Sequence, residues 1–121
     1  MIQRKSLTAA VLASAVALSA AALAAAPPAT ADQVAYLVNV HVRPGYNFAN
    51  AEQALAYGYG ICDKIAAGEG YPRLMGEVKA DFNTSDEYQA SYLISQAAQE
   101  LCPALIWQLR NSAANYTPPA G

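Results

Sequence analysis

Charge is scarce in this sequence. Of 121 residues only 13% are Asp, Glu, Lys or Arg, about half the usual quarter. So low a fraction argues against a disordered acidic segment and against a coiled coil. Seven basic residues against nine acidic ones give a net charge of −2, which excludes a nucleic-acid binder relying on a basic patch. There is one histidine, His41, and there are two cysteines. No His-x-x-x-His and no clustered His, Cys and Asp spacing is present to ligate a metal. Neither glycine-rich phosphate fingerprint occurs, because Gly58 and Gly60 lead into Ile61 and Cys62 within a helical pattern. A chain this short supports one domain.

Acidic residues are absent from positions 1–31, and that stretch reads as an address. Arg4 and Lys5 precede a run from Leu7 to Ala26 in which only Thr8, Ser14 and Ser19 interrupt Ala, Val and Leu. Pro27 and Pro28 end any helix, and Ala29-Thr30-Ala31 places small residues where a signal peptidase needs them. The order predicts a general-secretion signal peptide, 1–31, cleaved between Ala31 and Asp32. The competing reading is an uncleaved anchor, since the run approaches the roughly 20 residues that span a bilayer. Its alanine richness and the adjoining Ala-x-Ala site favour cleavage, with no stable membrane anchor afterwards. Arg4-Lys5 is not a twin-arginine pair, and no cysteine sits near the cleavage point to take an acyl chain.

Losing the leader leaves five basic against nine acidic residues in positions 32–121. A domain so small buries a modest share of its surface and is marginal unaided. Cys62 and Cys102 both lie in this part, and an even count in a short exported chain reads as a disulfide. The alternatives are a redox pair, a metal pair or an intermolecular bond, and the wide gap lacks the Cys-x-x-Cys spacing of redox and zinc sites.

The periodicity is mostly helical. Asn47 to Asn50 offer caps for a helix in which Ala51, Leu55, Gly58, Ile61, Cys62 and Ile65 recur at three and four, stopped by Gly68 and Gly70. Gly58 and Gly60 inside it predict close approach of a neighbouring helix. Pro72 suits the first turn of a third helix carrying Leu74, Met75, Val78 and Phe82. Thr84-Ser85-Asp86-Glu87 reads as a capping box with Thr84 as the cap, opening a helix striped by Ala90, Leu93, Ile94, Ala97, Ala98 and Leu101. Pro103 disfavours helical geometry at Cys102 and can start a last helix through Arg110. Residues 32–42 alternate like a strand, yet a lone strand has nothing to pair with. A helix over 32–41, with Val34, Leu37, Val38 and His41 on one side, is the favoured reading. The expected whole is all-α, about four helices over 32–112 with one disulfide, followed by a disordered tail, 113–121.

These marks resemble a family of small exported actinobacterial proteins, best known from mycobacteria, described as domain of unknown function 732. The resemblance rests on Gly58-Tyr59-Gly60-Ile61-Cys62, Gly68 and Glu100-Leu101-Cys102-Pro103 in order, over about residues 34–104. It implies an all-helical secreted domain with a Cys62–Cys102 bridge and lends no catalytic residues. The valine-rich opening with His41 and the extension bearing Trp107 depart from the pattern.

Chemistry-bearing groups are few. A nucleophile needs a base in reach and an orienting third group, and His41 is the single candidate base. Asp86 and Glu87 sit where a helix macrodipole already accounts for acids. Tyrosine is the abundant type, with eight residues. Tyr57, Tyr59, Tyr71, Tyr88, Tyr92 and Trp107 are candidates for a contact surface, the bland alternative being rings that cap an alanine-rich core. The expectation is a secreted, non-enzymatic interaction or cell-envelope protein, with no cofactor and an unidentified protein partner or apolar ligand. Its rivals are a carrier of a small apolar ligand such as lipid or haem, and a secreted hydrolase using His41.

Overall fold

The structure, a computed structural model, describes residues 31–119. The expected signal peptide therefore lies outside the described residues, apart from Ala31 at its end. Five α-helices follow, one more than the approximate four expected: α1 (Gln33–Val42), α2 (Ala51–Ala66), α3 (Tyr71–Asp81), α4 (Glu87–Gln96) and α5 (Ile106–Ser112). A π-helical turn, Ala97–Leu101, prolongs α4, and a 3-10 turn, Pro103–Leu105, leads into α5. No strand occurs among the described residues.

Local chemistry explains most boundaries. Asn50 Oδ1 accepts from the Gln53 N–H and caps α2, and Gly68 ends that helix at φ +96°, a conformation without a Cβ penalty. Gly70 belongs to the next element, as the N-cap of α3, and Pro72 lies in the first turn. The cap of α4 is two residues later than expected. Asp86 Oδ1 accepts from the Tyr88 and Gln89 N–H groups, while Thr84 Oγ1 accepts from the Asp86 N–H in a turn before the helix. Glu87, expected to reach back to Thr84, pairs instead with Lys79 and accepts from the Tyr116 hydroxyl at 2.6 Å. A capping box requires a helix starting just after Thr84, and Asp86 is the stronger cap.

All helices bury one face in a common core. Ile61 and Ile65 of α2 meet Leu74, Met75 and Val78 of α3 and Ala90, Leu93 and Ile94 of α4. The π turn adds Ala97, Ala98 and Leu101, so the expected stripe is buried along its whole length. In that turn the Cys102 N–H reaches the Ala97 carbonyl at 3.2 Å, five residues back. The wider turn carries Leu101 onto Gly58 and Cys102 onto Cys62. Cys102 then leaves the helix at φ −140°, ψ 61°, outside the α region that a following proline disfavours. The Cys62–Cys102 disulfide is formed, with Cα atoms 6.0 Å apart.

Residues 33–42 are helical, but a different face is turned inward. Tyr36 and Val40 are buried, whereas Val34, Val38 and His41 face outward. The reason is a specific fit. The Tyr36 ring lies over Gly58, and its hydroxyl donates to the Ala54 carbonyl at 2.8 Å. Close approach therefore holds for Gly58. It does not hold for Gly60, around which a Cβ would meet no atom within 4 Å. Within the stretch expected as a tail, Tyr116 meets Tyr71 edge-on, with ring centroids 5.0 Å apart, besides bonding Glu87.

Candidate binding cleft

The C-terminal end of α1 leads into a tight loop. Arg43 caps the helix in an extended conformation, and Gly45 (φ +112°) and Asn47 (φ +53°) turn the chain back towards α2. Three contacts hold this loop. The Arg43 guanidinium packs against two rings, 4.5 Å from the Tyr88 centroid and 4.9 Å from that of Tyr92. The Tyr46 hydroxyl donates to the Gln89 carbonyl at 2.6 Å. Phe48 joins Tyr46, Tyr57 and Phe82 in an aromatic cluster, with centroid separations of 5.2–6.2 Å.

Between α1, this loop and the start of α2 lies a cleft of about 610 Å³. Leu37, Val38 and Val40 form one wall, Phe48, Ala51 and Ala54 the other. His41 and Arg43 also line it, and no acidic residue does. No side chain bearing a hydroxyl or thiol lines it either. Along the same helix, Val34 and Val42 lie outside the cleft on either side of Val38, and the three are 71%, 70% and 53% exposed. Their i, i+4, i+8 spacing makes a single apolar stripe.

The expected aromatic surface is divided among separate sites. Tyr57 belongs to the Phe48–Phe82 cluster and donates to Asp81 Oδ2 at 2.7 Å. The Tyr59 hydroxyl accepts from Gln33 Nε2 at 2.8 Å, and Tyr71 packs with Tyr116. Tyr88 and Tyr92 hold Arg43. Trp107, 67% exposed, has the Arg110 guanidinium 5.1 Å from its ring centroid. Most of these rings are half-buried supports. Sequence reasoning overlooked Arg43, Tyr46 and Phe48. The i, i+4 tyrosines were a signal for the first, since that spacing brackets one cation.

Burial raises the pKa of Tyr36, Tyr46 and Tyr57. For Tyr36 the neighbouring Tyr46 adds to it, for Tyr57 the bond to Asp81 does, and for Tyr46 the Arg43 charge partly offsets it. Phenols in an unfolded chain titrate near pH 10, below these folded-state values. Above about pH 10 the folded state binds more protons than the unfolded one, so stability falls as pH rises. Chemical denaturation across that range is expected to show the fall. Tyr36→Phe, which cannot ionise, is expected to flatten it.

Residues 31–104 match the family described as Protein of unknown function (DUF732). The chain belongs to this family. The DUF732 match takes in α1 to α4, the π turn and both cysteines, and it ends before α5 and Trp107. It includes the whole cleft. No curated protein and no solved structure matches the chain. Among the described residues of this DUF732 protein, no group of three His, Cys, Asp or Glu side chains is placed to hold a metal ion. None of their helices is long and apolar enough to cross a membrane.

Proposed function

We propose that the protein is exported by its leader and acts as a non-enzymatic binding domain that docks a protein partner through the outer face of α1. The observation that carries this reading is the exposed stripe of Val34, Val38 and Val42. Apolar side chains gathered on one face are what an interaction surface presents, while scattered ones carry no such meaning. Export is supported by the basic, apolar and Ala-x-Ala order of residues 1–31. The non-enzymatic reading is supported by the surroundings of His41. A base acts with a nucleophile and an orienting group, and the cleft beside His41 is lined by neither a hydroxyl, a thiol nor an acid.

The test is crosslinking in the native host, comparing wild type with Val34→Asp/Val42→Asp. Both positions are exposed, so the variant is expected to keep its circular dichroism and lose one defined crosslinked species. A variant that crosslinks like wild type sinks the docking reading. Mass spectrometry of the exported protein is expected to find Asp32 as the first residue, and a chain beginning at Met1 sinks cleavage.

A further inference from the structure

We propose that the cleft between α1 and α2 binds a single-chain amphiphile with a carboxylate head group, its acyl chain lying between Leu37, Val38, Phe48 and Ala51 and its head towards His41. This deepens the binding reading by adding a small-molecule ligand to the face whose outer edge is the valine stripe.

Three observations carry it. The cleft, at about 610 Å³, falls within the roughly 300–1,000 Å³ typical of small-molecule sites, and its walls are apolar as such sites require. Its charge is one-sided. The chain has nine acids and seven bases, yet the two titratable residues lining the cleft are His41 and Arg43, and neither is acidic. Arg43 does not serve as the direct ligand contact, because its guanidinium is packed on the rings of Tyr88 and Tyr92. It fixes a positive charge at the loop end of the cleft, where an anionic head is favoured over a cationic one. His41 is exposed and has a ring nitrogen to donate. Finally, the cleft is pre-formed. Arg43 packed on Tyr88 and Tyr92, the Tyr46–Gln89 bond and the Phe48 cluster hold its loop through the protein's own contacts, which lowers the entropic cost of binding. Val38 belongs to both cleft and stripe, so a chain longer than the cleft continues over Val34 or Val42.

The test is fluorescence titration of the disulfide-bonded protein with cis-parinaric acid, a polyene fatty acid, and with its methyl ester. The acid is expected to bind saturably and the uncharged ester several-fold more weakly. Ala51→Trp and, independently, Ala49→Trp fill the cleft from exposed positions, and each is expected to weaken binding of the acid at least tenfold. His41→Glu is expected to weaken the acid about tenfold and leave the ester within a factor of two. Trp107→Ala, outside the cleft, is expected to change neither. Absence of saturable binding to folded wild type overturns the proposal, as does unchanged affinity in a folded cleft-filling variant. Equal affinity for acid and ester overturns the carboxylate assignment. Val34→Asp/Val42→Asp separates this reading from protein docking. Lost crosslinking with retained probe binding supports both, whereas lost probe binding with intact cleft-filling variants overturns the ligand site alone.

Discussion

Reduction of the Cys62–Cys102 bridge is expected to lower the melting temperature by about 15–30 °C, the largest single effect available in this molecule. The bond joins residues 40 apart, and closing a loop of that size removes about 4 kcal/mol of chain entropy from the unfolded state. In a domain of this size each kcal/mol shifts the midpoint by about 4–8 °C. The native state gives little back when the bond opens, because Cys62 is buried against the Ala97 carbonyl and the π turn is packed on α2 independently of it. Thermal unfolding followed by circular dichroism, with and without thiol, is the measurement. The double variant Cys62→Ala/Cys102→Ala should fall in the same range. An unchanged midpoint on complete reduction would show that the staple contributes nothing.

Gly58→Val is expected to destabilise the fold by about 3 kcal/mol, at the upper end of the range for overpacking. A Cβ built at Gly58 lies 2.5 Å from Leu101 Cδ1 and 2.7 Å from the Tyr36 hydroxyl oxygen and Cζ. Neither neighbour has room to retreat: Tyr36 is fully buried, its hydroxyl tied to the Ala54 carbonyl, and Leu101 is held in the π turn. Relief requires either breaking that hydrogen bond or moving α1 outward, and both uncover core. Gly60→Ala is the matched control two residues along the same helix. A Cβ there meets nothing within 4 Å, so the gain in helix propensity, about 1 kcal/mol, should appear as added stability. Opposite signs from two glycines in one helix, measured by urea denaturation, are the signature of a single point of close approach. If Gly58→Val is as stable as wild type, α1 does not seat on α2 through Tyr36.

How much was legible beforehand follows from where each signal originates. Caps, glycine stops, Pro72 and the 3.6-residue stripe on α4 act within a few residues, and the chain displays them directly. Thr84 and Asp86 are both good caps for α4, and the capping-box spacing points to the first. Only the path of the loop from α3 picks the second. For the cleft, the Tyr88–Tyr92 spacing was visible, yet the cation it holds lies just past α1 and is distant in sequence. Phe48 gave no sequence pattern at all, since its partners Tyr57 and Phe82 come from two other elements.

The sequence by itself determined an all-helical domain, its two long amphipathic helices, and the cysteine pair that staples them. Periodicity and end chemistry are local, and with two cysteines an intramolecular bridge has one possible pairing. Tertiary structure decided which side of α1 faces the core. That helix is apolar nearly all round, so periodicity gives no preferred direction, and either Val34–Val38 or Tyr36–Val40 could turn inward. The groove at Gly58 and the Ala54 carbonyl, both on another helix, fit one phenol and no valine. Seating Tyr36 there turns three valines outward and leaves the cleft open beside them.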